Sequence, residues 1–184
     1  MKRTVDLAVC LLLFPIAIPL IMVLAVLVRL TSRGPAILRQ TRVGREGRLF
    51  VCYKLRTMRT GTRDTPTHMV NPGAVTPVGR YLRRSKLDEL PQILNILRGE
   101  MSFVGPRPCL PSQKELIQFR RDLGVDRILP GITGVAQISG VDMSNPEKLA
   151  KLDATYLTDM TVKQDIKIIL ATAFGSGQGD QIRG

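Results

Sequence analysis

From Leu7 to Val28 every residue is apolar apart from Cys10, and the run carries two prolines, Pro15 and Pro19. As a helix these residues reach about 33 Å, enough to cross the hydrocarbon core of a bilayer, so this segment meets lipid. A secretory signal fits poorly, because its apolar core is normally about 7–15 residues long and no small-residue cleavage site follows Val28. A plain span fits poorly too. Lys2 and Arg3 precede the segment, Arg29, Arg33 and Arg39 follow it, and positive charge marks the cytoplasmic side. Each proline removes a backbone donor and crowds the preceding turn, which favours a bend. The expectation is a re-entrant, hairpin-like anchor over residues 1–30, with both ends on the cytoplasmic face.

The remaining chain has room for one domain, over residues 31–174, and the Gly/Ser/Gln-rich tail from 175 to 184 reads as frayed. A formal charge of +12 calls for an anionic partner: nucleic acid, a phosphorylated small molecule or an anionic lipid surface. The stretch from Arg29 to Arg63 is dense in cations and has only Glu46 against them; adhesion to lipid, at about 1 kcal/mol per cation, accounts for part of it. An aromatic content of 4% speaks against base stacking, and no nucleic-acid motif is present, so nucleic acid is not expected. Cys10, Cys52 and Cys109 are odd in number and lack metal-ligand spacing, which suits a reducing compartment. His68, alone in a Thr/Pro-rich stretch, reads as solvated.

Ala36–Leu38 and Leu49–Tyr53 read as short strands joined through Gly44 and Gly47. Residues 60–79 show no periodicity and read as a loop, either a cover over a site or disordered. Gln113–Ile128 has Leu116, Ile117, Phe119 and Leu123 on one side and Lys114, Arg120, Arg121 and Arg127 on the other. That is an amphipathic helix, packed on the core or lying in the membrane interface. The glycines of Pro130–Gly140 suit either a tight turn or close approach to a ligand. Ser144-Asn145-Pro146-Glu147 opens a helix with Leu149, Leu152, Tyr156 and Leu157 on one stripe, and a last helix runs from Val162 to Phe174. The fold class is α/β, helix-rich with a small sheet or hairpin.

The run Ser85-Lys86-Leu87-Asp88-Glu89-Leu90-Pro91-Gln92 sets two adjacent carboxylates among cations. Pro91 places a helix start near Asp88–Leu90 and Gly99 stops the helix after Arg98. The positive helix end favours ionised carboxylates and anionic ligands alike. Asp88 as a helix cap and Asp88 as a reactive group stand on equal terms from the residues alone. Met101–Pro108 follows, with Arg107 between two prolines.

Several segments together resemble the bacterial sugar transferase family, the monotopic phosphoglycosyl transferases. They are Lys2–Asp6 before the proline-bent segment, Lys54–Met58, Leu87–Gln92, Asn95–Ser102, Val104–Pro108 and Pro130–Gly134. The match runs from residue 2 to about 172 in the family's motif order, in its short form. The resemblance implies transfer of a sugar-1-phosphate from a UDP-sugar to polyprenol (undecaprenyl) phosphate at the cytoplasmic face of the bacterial inner membrane, releasing UMP and starting glycoconjugate assembly, with downstream glycosyltransferases as candidate partners. It further implies that Asp88 is a covalent nucleophile beside Glu89, that magnesium is required, and that the anchor is re-entrant. On chemical grounds Mg²⁺ is assigned to Asp88 and Glu89, phosphate contacts to Arg83 and Arg107, and weaker substrate contacts to Lys54 and Arg56. Glu89 could instead assist proton transfer, but a phosphate acceptor is already ionised.

Two positions depart from the family pattern. Ile18 stands before Pro19 where a serine is frequent, and Val141 follows Gly140 where an arginine is frequent, so the sugar is not legible. The rival readings are a membrane-anchored basic binding module and a scaffold for glycan assembly, neither of which needs Asp88 and Glu89.

Overall fold

A computed structural model describes residues 2–62 and 72–175. The apolar run forms one helix, α1 (Lys2–Thr31), which continues through both Pro15 and Pro19. It buries a single stripe, Asp6, Cys10, Ala17, Leu24 and Val28, whose spacing keeps it on one helical face. Leu11, Leu12, Ile16, Val23, Val26 and Leu30 on the remaining surface are all more than half exposed.

Domain residues hold α1 from its first turn to its last. Arg3 donates to the carbonyls of Ile96 and Leu97 at 2.5 and 3.1 Å, and Phe103 N–H donates to Asp6 Oδ1 at 3.3 Å. Lys2 Nζ lies 2.6 Å from Asp165 Oδ2. Cys10 and Ala17 pack with Phe50, Cys52, Ile93, Ile96 and Met101, while Leu24 and Val28 pack with Leu55 and Leu82. Each such buried aliphatic side chain contributes roughly 1.5–3 kcal/mol.

The expected hairpin is present and longer than its apolar residues indicate. Strands β1 (Ile37–Val43) and β2 (Leu49–Leu55) pair antiparallel, Ile37 opposite Leu55 and Val43 opposite Leu49. The tip turns through left-handed backbone at Glu46 and Gly47. A second pair went unread in the sequence: β3 (Ser102–Val104) lies parallel to β4 (Gly131–Thr133). Three residues per strand are too few to show a period of two.

Helix α2 (Pro77–Arg84) starts inside the stretch read as loop, with the Thr76 hydroxyl accepting from Gly79 N–H at 2.9 Å and Pro77 in the first turn. A 3-10 turn at Pro72–Ala74 precedes it; residues 63–71 of that loop, with Arg63 and His68, lie outside the described residues, as does the tail beyond Gly175. Helix α3 (Ile93–Arg98) ends at Gly99, whose φ of 79° forms a left-handed cap that suits glycine. The amphipathic stretch is shorter than its pattern: α4 covers Lys114–Asp122, and the left-handed Gly124 separates it from a 3-10 turn at Val125–Arg127. Helices α5 (Val135–Ile138), α6 (Pro146–Thr158) and α7 (Val162–Ala173) complete the chain, α6 capped by Asn145 and α7 by Thr161. Cys109, Leu116, Ala136, Leu149 and Ala150 form the core between α4 and α6, with Val141 packed against it.

Arg56 fastens the far end of α1. Its guanidinium donates to Arg33 O at 2.6 Å, Ser32 O at 2.8 Å and Ser32 Oγ at 2.8 Å, and the residue is buried. Arg56→Met removes all three bonds and is expected to lower the unfolding free energy of the detergent-solubilised protein by about 2–4 kcal/mol, against about 1 kcal/mol for Ser32→Ala. Chemical denaturation measures both.

Candidate active site

Lys86 adopts a left-handed conformation, φ 57°, and so swings the chain out of α2 into a 3-10 turn at Leu87–Gln92. In such a turn residues i and i+3 eclipse. Leu87 and Leu90 therefore share a face, and both pack against the cluster of Leu24, Val28, Leu55 and Leu82. With that face anchored, Glu89 meets Lys54 on β2 and Arg107 beyond β3. Its Oε1 accepts from Lys54 Nζ and from Arg107 Nη2, each at 2.8 Å. Burial opposes ionisation of Glu89, but the charges of Arg107 and Lys54 outweigh it and hold the carboxyl far below the usual carboxylate range.

Asp88 is different. It is 8% exposed and accepts no hydrogen bond among the described residues. It sits inside the 3-10 turn, where Lys86 occupies the capping position, so the capping role is not the one it fills. Burial first, and then the adjacent Glu89 charge, push its pKa up to about 6, against the opposing pull of Lys54, Arg83 and Arg107. Lys86 is also close enough to feel Glu89 and Arg107. Among the described residues four cations, Lys54, Arg83, Lys86 and Arg107, thus lie around two carboxylates, a positive setting that suits an anionic ligand.

Of the residues singled out from the sequence, Asp88, Glu89, Lys54, Arg83 and Arg107 come together here. Arg56 does not, being spent on the end of α1. Among the described residues no group of three His, Cys, Asp or Glu side chains could cage a metal. Asp88, and the oxygen of Glu89 that faces neither cation, are the available donors. That sparse set fits Mg²⁺, which uses one or two carboxylates together with water and substrate phosphates.

The backbone around Arg107 answers what the glycines of Pro130–Gly134 do. Gly105 N–H donates to Thr133 O, and Gly131 N–H to Pro106 O, both at 2.9 Å. A Cβ on Gly131 would lie 2.1 Å from Gly105 N, and one on Gly134 would lie 2.3 Å from Gly105 O. These glycines admit a neighbouring backbone, the one that carries Arg107.

Three participants escaped the sequence reading. Asn95, fully buried, accepts from Tyr53 N–H and donates to Val51 O and Glu100 Oε2, which fixes α3 beside β2 and so Lys54 beside Glu89. Arg120 and Asp153 form a buried ion pair behind Arg107. Asp153 falls on the stripe of Leu149 and Tyr156, and a carboxylate on an apolar stripe was the available signal.

The model of the family described as bacterial sugar transferase matches residues 1–178. The chain belongs to the bacterial sugar transferase family. The chain is 37% identical over 185 residues to the UDP-glucose:undecaprenyl-phosphate glucose-1-phosphate transferase of Escherichia coli, covering 95% of this chain and 39% of that one. It is 36% identical to the undecaprenyl-phosphate galactose phosphotransferase of Salmonella typhimurium, over 94% of this chain and 40% of the relative. A UDP-glucose:undecaprenyl-phosphate glucose-1-phosphate transferase of Caulobacter vibrioides is 38% identical, over 93% and 67% respectively. The chain thus spans about two fifths of the length of the first two.

A raised carboxylate pKa means that the folded protein holds a proton on Asp88 more tightly than the unfolded chain does. Ionising it works against folding; the cost is absent below the unfolded pKa near 4 and complete above about 6. Asp88→Asn is therefore expected to raise the thermal unfolding midpoint at pH 7.5 by about 4–12 °C, from on the order of 2–3 kcal/mol. The gain should vanish below about pH 4. Differential scanning fluorimetry at a series of pH values checks it.

Proposed function

We propose that this sugar transferase moves a sugar-1-phosphate from a UDP-sugar to undecaprenyl phosphate, releasing UMP and initiating a membrane-bound glycan. The observation that carries the reading is Asp88: a buried carboxylate that has no hydrogen-bond donor among the described residues, next to a glutamate that two cations keep ionised. A structural carboxylate would take those donors itself. One left bare amid positive charge is available as a nucleophile. The E. coli and Salmonella relatives, named for such transfers to undecaprenyl phosphate, supply the substrate classes.

In the first step an Asp88 oxygen attacks the β-phosphorus, and the bond from that phosphorus to the bridging oxygen breaks. UMP departs with that oxygen, leaving the phosphosugar esterified to Asp88. In the second step an oxygen of undecaprenyl phosphate attacks the same phosphorus and frees the carboxylate. Arg107, Arg83 and Lys54 neutralise the phosphate oxygens and align the bond to be broken; such placement and charge stabilisation supply most of the catalysis in phosphoryl transfer. Mg²⁺, held through Asp88 and Glu89, would contribute further neutralisation of the diphosphate.

The placement of α1 supports a monotopic attachment. A helix of 30 residues is about 45 Å long, and domain residues touch it from Lys2 to Ser32. Sending it across a bilayer would drag charged domain surface into hydrocarbon, whereas laying its bare face into one leaflet leaves both ends on the cytoplasmic side. Cysteines introduced at Lys2 and Arg33 are expected to react with an impermeant maleimide only after the cytoplasmic face is opened. Labelling of either in intact cells would exclude this attachment.

The chemistry is tested by UMP release from UDP-glucose and UDP-galactose with undecaprenyl phosphate and Mg²⁺. Asp88→Asn is expected to lower the rate at least about 1,000-fold and to abolish the phosphosugar mass adduct seen on wild-type protein quenched without acceptor. Because Asp88 must be ionised, wild-type kcat/KM should fall about tenfold per pH unit below roughly pH 6. Turnover retained by Asp88→Asn would remove the nucleophile from the scheme.

A further inference from the structure

The Arg120–Asp153 pair has no place in the reaction above, yet it reaches the site's arginine. Arg120 extends from α4 and Asp153 from α6, and they are 6% and 3% exposed. Arg120 Nη2 and Nε lie 2.6 and 3.0 Å from Asp153 Oδ2, and its Nη1 donates to the carbonyl of Arg107 at 2.8 Å. That same Arg107 sends Nη2 to Glu89 at 2.8 Å.

Burying an ion pair rarely stabilises a fold more than apolar residues of the same size would, so its use lies in what else Arg120 holds. Pro106 and Pro108 have no N–H, so this segment cannot be fastened through donors at those positions. It is held by its carbonyls. Pro106 O accepts from Gly131 N–H at 2.9 Å, Pro108 O from Arg42 Nη1 at 3.0 Å, and Cys109 O from Val43 N–H at 2.9 Å. The carbonyl of Arg107 itself takes the charge-assisted bond from Arg120. A guanidinium is a planar fork, so a carboxylate that fixes two of its nitrogens also aims the third.

We propose that Arg120, oriented by Asp153, is a positioning residue for the transfer reaction: it sets the backbone from which Arg107 reaches Glu89 and the diphosphate of the donor. The role rests on the transfer reaction proposed above. Lysine at position 120 keeps a charge opposite Asp153 but lacks the fork. It should let Arg107 drift, and misplacement by about 1 Å costs on the order of 100-fold in rate.

The test is a double-mutant cycle on the full chain in detergent, reading UMP release from UDP-glucose and UDP-galactose with undecaprenyl phosphate and Mg²⁺. Arg120→Lys is expected to lower kcat by about 10- to 100-fold with KM for the donor within about threefold. In an Arg107→Ala background the same change should alter the rate less than about twofold, because its route of action is gone. Asp153→Asn, which leaves the bond from Arg120 to Arg107 in place, should lose less in the same direction and also fall silent there. Unfolding midpoints measured on every variant put the rates on a per-folded-molecule basis. An equal fractional loss in both backgrounds, or full activity of Arg120→Lys, would overturn the positioning role. A wild type that releases no UMP from these donors or from any other of a panel of UDP-hexoses and UDP-N-acetylhexosamines would instead defeat the transfer reaction, and this role with it.

Discussion

One carboxylate oxygen joins the separate parts of the candidate site. Glu89 Oε1 takes a lysine from β2 and an arginine from the segment after β3, and it stands on a turn whose leucines are set into the core beside α1. Three segments distant in sequence thus converge on a single point. The two short sheets serve that convergence: the hairpin delivers Lys54, and the parallel pair delivers Arg107. Asn95 locks the first of these to α3; the close backbone contact among Gly105, Gly131 and Gly134 locks the second.

The same leucines tie the site to the long apolar helix. Leu24 and Val28 of α1 share one cluster with Leu87 and Leu90 of the turn that carries Asp88, so the last turns of the apolar helix form the floor of the reactive segment. The far side of that helix is a continuous apolar surface. An acceptor whose phosphate sits at a bilayer surface and whose chain stays in hydrocarbon needs this adjacency. For the proposed transfer, a soluble acceptor would not require a 30-residue, largely apolar helix packed beneath the turn that carries Asp88.

Elements whose signal is local were legible in the sequence. Pro91 and Gly99 bracket a helical stretch because one lacks a donor and the other tolerates left-handed backbone, and both rules act within a turn. The hairpin, the Asn145 cap and the pairing of Asp88 with Glu89 are local in the same sense. What could not be read depends on contacts far apart in the chain. Arg56 looks like the other cations of its stretch until α1 ends against it. Arg120 looks like a solvated helix charge until Asp153, 33 positions on, is brought opposite. The strands β3 and β4 are too short for any period, and Gly124 cut an amphipathic pattern that composition alone ran on to Ile128.

Adjacent carboxylates in one buried turn repel, and the molecule resolves this by treating them unequally. Both hydrogen-bonding cations go to Glu89, which becomes a permanent anion; Asp88 receives the field of the cations without their bonds and carries the strain of Glu89's charge. A donor bringing a diphosphate would add further negative charge and drive Asp88 towards its protonated, unreactive form. In the proposed transfer reaction the cations around the site offset this and have two uses: they bind the diphosphate, and they keep Asp88 ionised while the diphosphate is there. In that reaction, removing the charge of Lys54, Arg83 or Arg107 outright would weaken binding and raise the pKa of Asp88 together.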